Sequence, residues 1–124
     1  MTDPVTIGSA GVRFLKTSDA KMKMLYKIST GAKSMHDETN ADYQVPVGKV
    51  FIGLRYMQSA GSGGEVWIDK NTTADTDSGG TRMFYCHYGS DQTNHFDVWL
   101  EFPAGNYVNS ESGYGILTGV ECDA

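Results

Sequence analysis

Apolar and polar residues alternate with a period of two along most of this chain, which is the pattern of β-strands with one buried face. Residues 95–102 (HFDVWLEF) show it most cleanly, since every second side chain is apolar. Residues 21–28 (KMKMLYKI) place methionines on one side and lysines on the other, which predicts a half-buried strand with solvated lysines. Residues 49–58 (KVFIGLRYMQ) are apolar on one side and mixed on the other, which predicts a central strand. Its predicted apolar face consists of Val50, Ile52, Leu54 and Tyr56.

Shorter segments predict further strands. They are residues 65–69, 82–88 and 114–122, with weaker candidates at 11–16, 43–46 and 106–109. No window shows the apolar stripe of a helix, so we expect almost no helix. The pattern predicts an all-β fold, an antiparallel β-sandwich of about eight strands with jelly-roll or Greek-key wiring. We expect residues 19–124 to form a single sandwich domain and residues 1–18 to be an N-terminal arm or edge segment.

Turn-forming residues separate the predicted strands. Residues 46–48 (PVG) and 103–105 (PAG) predict tight turns with proline at the second position and glycine at the fourth. Residues 69–81 and 89–94 are polar and predict loops. Many of the 15 glycines fall in such turns, so we interpret the glycine content as the sign of a turn-rich sandwich.

Composition excludes several classes of protein. With 124 residues, 40% hydrophobic and 20% charged, the chain is too apolar for a disordered protein and long enough to bury a core. It shows neither a signal peptide nor an apolar run of membrane-spanning length, so we expect synthesis in a cytoplasm and no membrane partner. A net charge of −5 argues against nucleic acid as a partner.

Charge is distributed unevenly along the chain. Residues 1–62 carry 8 basic and 5 acidic side chains, whereas residues 63–124 carry 2 basic and 10 acidic ones. The lysines of the first half therefore have two interpretations, a docking surface for an acidic partner or the solvated face of a strand. The candidate partner-binding lysines are Lys16, Lys21, Lys23 and Lys27, with Lys33 following in the same half.

Catalytic motifs are missing from the sequence. Cys86 and His87 are neighbours on a predicted strand, so they point to opposite faces and cannot act together as nucleophile and base. Ser62 lies in AGSGG, which lacks the nucleophile-elbow pattern, and the three histidines have no metal-ligand spacing. We therefore expect no enzyme. Cys86 and Cys122 are interpreted as two buried thiols, although the sequence leaves a bridge between them open.

One polar loop partly matches a calcium-binding loop. Asp75 and Asp77 occupy the first and third ligand positions, and Asp69 offers a further carboxylate. The twelfth position is Cys86 instead of the usual glutamate. We expect no cofactor, with calcium at Asp69, Asp75 and Asp77 as the alternative to a surface loop with local turn hydrogen bonds.

Two tryptophans fall on the polar side of their predicted strands. Trp67 and Trp99 both alternate with charged neighbours, and Trp99 lies between Asp97 and Glu101. Three interpretations stay open: burial in a subunit interface, burial in a sandwich covered on both faces, or an exposed platform that stacks on sugar rings.

Two segments share one pattern, a short predicted strand followed by a P-x-G turn and a further strand. They are residues 43–51 (YQVPVGKVF) and 98–108 (VWLEFPAGNYV). This pattern resembles a recurrent motif of small jelly-roll proteins in phage particles. The resemblance covers at most residues 43–122 and implies no catalytic residues. It implies a virion structural protein, most readily a capsid decoration (cement) protein that binds and stabilises the outer shell. The implied partner is the major capsid protein or another virion protein, and the implied assembly is a homotrimer or other homo-oligomer.

A different class of function stays open beside this one. A carbohydrate-binding β-sandwich module, of the tail-fibre or polysaccharide-binding type, would use exposed Trp67 and Trp99 to bind a glycan. The expected localisation is the virion, after synthesis in the host cytoplasm without a signal peptide.

Overall fold

The computed structural model describes residues 5–7, 12–14, 20–27, 32–60, 64–76, 78–88, 92–111 and 114–124. Within these ranges the chain forms nine strands and no helix. The strands are β1 (Val5–Ile7), β2 (Val12–Phe14), β3 (Lys21–Tyr26), β4 (Lys49–Ala60), β5 (Gly64–Asn71), β6 (Thr81–Tyr88), β7 (Gln92–Pro103), β8 (Tyr107–Glu111) and β9 (Tyr114–Asp123).

Seven strands build two antiparallel sheets, one strand fewer than expected. The four-stranded sheet has the order β3-β9-β4-β7, the three-stranded sheet has the order β6-β5-β8, and β1 pairs with β2 in a separate hairpin. Apart from β5 and β6, which are joined as a hairpin, strands that follow each other from β4 to β9 lie in different sheets. This is the wiring of a jelly roll, which confirms the predicted fold class.

The eighth position of the jelly roll is taken by a segment without regular strand structure. Residues 32–45, the bridging segment, run beside β8 and pair with it only at isolated bridges, Ser34 with Asn109 and Gln44 with Tyr107. The predicted strand at 43–46 is therefore wrong beyond the single bridge at Gln44. A bend within the segment, where Asn40 has a φ of 62°, interrupts the ladder.

The other strand predictions are confirmed with changed ends. β5 continues to Asn71 and β7 begins at Gln92, so both enter the predicted loops 69–81 and 89–94. Polar residues join these strands because neighbouring strands satisfy their backbone groups, as when Lys70 pairs with both Thr81 and Val108.

The two P-x-G triplets form tight turns, but not in the predicted alignment. The Lys49 amide donates to the Pro46 carbonyl at 3.1 Å, so proline is the first residue of the turn and Gly48 the third. Gly48 and Gly105 have φ values of 78° and 84°. A positive φ at the third position is what a type II turn requires, and glycine adopts it without a steric cost.

The inner core lies between the two sheets and under the bridging segment. It contains aromatic and aliphatic side chains from both sheets and from that segment: Leu25, Met35, Tyr43, Val45, Phe51, Tyr56, Val66, Ile68, Leu100, Phe102, Val108 and Leu117. Phe51 joins the sheet to the segment, since its ring lies 5.4 Å from that of Tyr43 and 5.9 Å from that of Phe102. Complete burial of such a side chain contributes roughly 1.5–3 kcal/mol.

Tyr43 also carries a polar contact into this core. Its hydroxyl donates to Glu121 Oε1 at 2.8 Å, and both residues are buried. Burial and the Glu121 carboxylate together raise the pKa of Tyr43 far above its ordinary value, so the hydroxyl stays protonated and keeps the buried carboxylate hydrogen-bonded.

A bulge in β4 changes which residues share a face. The register of β4 with both β7 and β9 shifts between Gly53 and Arg55. As a result Tyr56 lies in the inner core, whereas Val50 and Ile52 belong to a separate cluster on the other side of the sheet. The predicted shared face is therefore wrong at Tyr56, because an inserted residue reverses the alternation. The central position of β4 is confirmed.

Candidate functional site on the outer sheet faces

The outer face of the four-stranded sheet is apolar. Its buried layer consists of Val50, Ile52, Val120 and Cys122, with Leu54 packed against it. Met22 lies opposite Val120, and Val120 lies opposite Ile52, so one apolar row crosses β3, β9 and β4. We call this surface, with the exposed side chains of Met22, Met24 and Trp99, the apolar face.

Large apolar side chains remain exposed on the apolar face. Met22 is 69% exposed, Met24 54% and Trp99 48%. The Trp99 indole N–H donates a long, 3.4 Å hydrogen bond to Glu101, and Arg55 and Asp97 form an ion pair of the same length nearby. Methionine side chains are flexible and polarisable, so an exposed group of them fits an irregular apolar partner.

The orientation of β3 is the reverse of the prediction. Leu25, on the lysine side of the strand, pairs with Leu117 in the inner core, whereas Met22 and Met24 point away from it. The lysines were expected on a solvated face, and that prediction is wrong for Lys27, which is buried.

The candidate lysines have different environments and do not form one surface. Lys21 is exposed, and Lys16 lies outside the described residues. Lys23 packs over the Tyr43 ring at 5.7 Å and bonds Glu38 at 2.9 Å. Partial burial disfavours its charged form, but the Glu38 carboxylate outweighs that effect and raises the pKa of Lys23.

The outer face of the three-stranded sheet is aromatic and charged. The Arg82 guanidinium lies 4.5 Å from the centre of the Trp67 ring and 6.0 Å from that of Tyr85. Its Nε donates to Asp69 Oδ1 at 3.0 Å, and Asp69 is buried. We call this surface, with Glu65 and His87, the aromatic face.

Tyr85 is the exposed ring of the aromatic face. It is 46% exposed, and its hydroxyl lies 3.1 Å from His87 Nε2. His87 Nε2 in turn lies 3.8 Å from Glu65 Oε1. A hydrogen bond to the Glu65 carboxylate raises the pKa of Tyr85, so its hydroxyl stays protonated at neutral pH and donates to Glu65.

The two tryptophans have different environments. Trp67 is only 5% exposed, because Arg82 and Lys33 lie over its ring, with the Lys33 Nζ at 5.5 Å. Of the three interpretations, burial within the subunit describes Trp67, and an exposed sugar platform does not. Trp99 remains exposed, which keeps the interface and the sugar platform open for it.

The carboxylates proposed for calcium have other partners. Asp69 lies in β5 and is bound by Arg82, and Asp75 Oδ1 accepts the amides of Lys33 and Ser34 at 3.0 and 2.9 Å. Asp77 lies outside the described residues. Among the residues that the structure describes, no three histidine, cysteine or acidic side chains come together as metal ligands. Local turn hydrogen bonds of the expected kind are present from the Thr73 amide to Asn71 and from the Ser78 amide to Thr76. The bonds of Asp75 are instead long-range and hold the loop to the bridging segment.

Sequence reasoning missed the residues of the aromatic face. Strand 82–88 was predicted, but the pairing of Tyr85 with Trp67 and of His87 with Glu65 was not. The sequence does contain a signal, because residues two apart on a strand share a face. Glu65 and Trp67 therefore share one face of β5, and Tyr85 and His87 share one face of β6.

Both cysteines are free thiols, which excludes the bridge left open above. Cys122 is buried, and Cys86 is partly buried, so the expectation of two fully buried thiols holds for Cys122 alone. Burial raises the pKa of the Cys86 thiol, which makes it a poor nucleophile near neutral pH.

The fold defines the class of this protein, an all-β jelly-roll sandwich, and the comparisons with known proteins add no relative. No family model matches the sequence, and no curated protein and no solved structure matches it at a significant level. In the described part of the chain, no helix is long and apolar enough to cross a membrane.

Proposed function

We propose that this chain is a non-enzymatic structural protein of a virus particle, a decoration protein that binds and stabilises the outer shell through its apolar face. The observation that supports the proposal is the group of exposed side chains Met22, Met24 and Trp99 above a buried apolar layer. Jelly rolls occur in viral capsid domains as well as in lectins, so the fold is compatible with the role.

The energetics favour a partner that covers this surface. Methionine and tryptophan side chains that become fully buried contribute roughly 1.5–3 kcal/mol each. Buried aromatic and methionine side chains are enriched at the centre of protein interfaces, with polar groups at the rim. Arg55 and Asp97, exposed beside the apolar layer, supply such a rim.

The proposed partner is the major capsid protein, and the proposed location is the virion. In this arrangement the apolar face lies on the shell, and the three-stranded sheet, whose strands β5, β6 and β8 all come from the acidic second half of the chain, remains in solvent. A homotrimer around a symmetry axis of the shell is part of the proposal, since one small contact surface binds more tightly when it is presented three times.

The test uses a double substitution on the exposed part of the apolar face. Met22→Lys with Met24→Lys places two charges in the proposed contact, and both native side chains are exposed, so the fold is expected to be retained. We expect co-sedimentation with shells of the cognate capsid protein to be lost. The melting temperature is expected to stay within a few degrees of the native protein.

A matched control carries the same kind of charge elsewhere. Val47 is fully exposed in the turn before β4, and Val47→Lys is expected to leave shell binding unchanged. The proposal is contradicted if the double methionine variant binds shells as well as the native protein does, whatever the effect of Val47→Lys.

A carbohydrate-binding function is the second candidate, and the exposure of Trp99 favours it. Its indole lies beside Asp97 and Glu101 on the same strand, as in sites where a ring stacks on a sugar and carboxylates accept from hydroxyls. Under this hypothesis Trp99→Ala abolishes binding to a polysaccharide column without lowering the melting temperature, whereas the double methionine variant still binds.

A further inference from the structure

The aromatic face contains an arginine that two neighbours hold in place. Arg82 lies at an exposed edge strand, yet it is held by a buried carboxylate, Asp69, and by the ring of Trp67 beneath it. Burying a carboxylate is costly, and replacing such pairs by apolar side chains is often neutral for stability. The arrangement therefore orients a planar guanidinium over part of the Tyr85 ring, 6.0 Å from its centre, while 46% of Tyr85 remains exposed.

Hydrogen-bonding groups of both kinds surround the Tyr85 ring. Arg82 brings N–H donors on one side, while His87 Nε2 lies 3.1 Å from the hydroxyl and the Glu65 carboxylate lies next to His87. Tyr85, His87 and Glu65 are all exposed. The surface thus combines an accessible aromatic ring with a fixed donor and a carboxylate acceptor.

We propose that Tyr85, Arg82, Glu65 and His87 form a binding subsite for a neutral hexose sugar of a glycan chain. A pyranose ring has an apolar C–H face that packs on an aromatic ring, and a rim of hydroxyls that both donate and accept hydrogen bonds. Tyr85 takes the C–H face, the Arg82 guanidinium donates to hydroxyl oxygens, and the Glu65 carboxylate accepts from hydroxyls.

The charges of the surface select a neutral sugar. Arg82 and Lys33 are balanced by the carboxylates of Asp69 and Glu65, so there is no excess of positive charge for a uronic acid or a phosphate. The Glu65 carboxylate lies 3.8 Å from His87 Nε2, which itself lies 3.1 Å from the Tyr85 hydroxyl, so it repels an anionic sugar bound at this ring.

This site differs from the one in the second candidate function, because Trp99 belongs to the opposite sheet. It is also independent of shell docking, because the two outer faces point in opposite directions across the sandwich. A decoration protein bound through the apolar face would still present the aromatic face to glycans in solution.

The experiment is a titration of the labelled protein with maltohexaose, cellohexaose and mannohexaose, followed by amide NMR shifts. Hexagalacturonate serves as the anionic comparison. We expect at least one neutral oligosaccharide to shift amides of β5 and β6, with weaker or no binding of the uronate. Tyr85→Ala is expected to weaken binding about tenfold or more, which corresponds to about 1.4 kcal/mol.

Three variants make the result specific. Tyr114→Ala removes another exposed tyrosine, on β9, and is expected to bind as the native protein does. Arg82→Lys keeps the charge but not the planar fork, and is expected to weaken binding with little change in melting temperature. No binding of any neutral sugar overturns the proposal, and so does binding that is lost in Trp99→Ala but retained in Tyr85→Ala.

Discussion

The outer faces of the two sheets both carry buried residues on their central strands, but they expose different side chains. In each sheet a central strand carries buried outward-facing residues, Ile52 on β4 and Trp67 with Asp69 on β5. The two sheets differ at their edge strands. β3 presents the exposed side chains of Met22 and Met24, whereas Arg82 of β6 lies over the Trp67 ring.

The difference between these edge side chains decides what each face is able to bind. Exposed methionines on the same face as a buried apolar layer leave apolar surface in solvent, which favours a protein partner. An arginine fixed by a buried carboxylate hides a tryptophan and leaves hydrogen-bonding groups exposed, which favours a polar ligand. A residue on the outer side of a sheet is thus not necessarily exposed to solvent.

The largest expected effect tests whether the buried apolar layer on the outer side of the four-stranded sheet is packed like a core. Ile52→Ala removes a side chain that is 2% exposed on the outer side of the sheet, and we expect it to lower the free energy of unfolding by about 3 kcal/mol. Met24→Ala is the control and is expected to cost about 0.5 kcal/mol, because Met24 is exposed. Urea unfolding measures both, and equal costs would show that the two residues are equally solvated.

A smaller effect is expected when an arginine is replaced by methionine on each outer face in turn. Arg82→Met leaves the buried Asp69 carboxylate without its ion pair and is expected to cost about 2 kcal/mol, less than for a fully buried pair because Arg82 is half exposed. Arg55→Met breaks an exposed pair with Asp97 and is expected to cost less than about 0.5 kcal/mol.

The readout for the arginine pair is thermal unfolding at low salt. Adding Asp69→Asn to Arg82→Met is expected to recover part of the loss, because the uncompensated charge is then removed. An Arg55→Met variant as unstable as Arg82→Met would contradict the distinction between the faces.

The smallest expected effect is a difference between the alkylation rates of the two thiols, which involves no change in the free energy of unfolding. Cys122 lies buried on the outer side of the four-stranded sheet, and Cys86 is partly buried against the inner core. We expect iodoacetamide to modify Cys86 slowly, at a rate that rises with pH beyond the ordinary thiol range, because burial raises its pKa. Cys122 is expected to react only in denaturant. Mass spectrometry of peptides follows both sites, and faster alkylation of Cys122 would contradict its burial.

Much of the fold could be predicted from local pattern, and the candidate sites could not. Alternation in residues 95–102 and 114–122 identifies strands because each has one face in the core over its whole length. The same reasoning failed for β3, where the choice between a lysine side and a methionine side depends on the bridging segment that covers the lysine stems. Lysine stems are apolar, so either side of that strand can be buried.

The site residues show the same limit more sharply. Trp67 and Trp99 are indistinguishable by alternation, yet Arg82 and Lys33 lie over the Trp67 ring, whereas Trp99 is 48% exposed. Asp75 looked like a metal ligand because its sequence neighbours are polar, but its partners are the backbone amides of Lys33 and Ser34.

Local sequence was enough to predict most of the strands and the tight turns at Gly48 and Gly105, because these follow from side-chain alternation and backbone conformation within a few residues. The tertiary structure alone decided the jelly-roll pairing of β3 with β9, the reversal of face at the β4 bulge, and the two outer surfaces. These depend on which distant strands become neighbours, and contacts between residues far apart in sequence leave no local pattern to read.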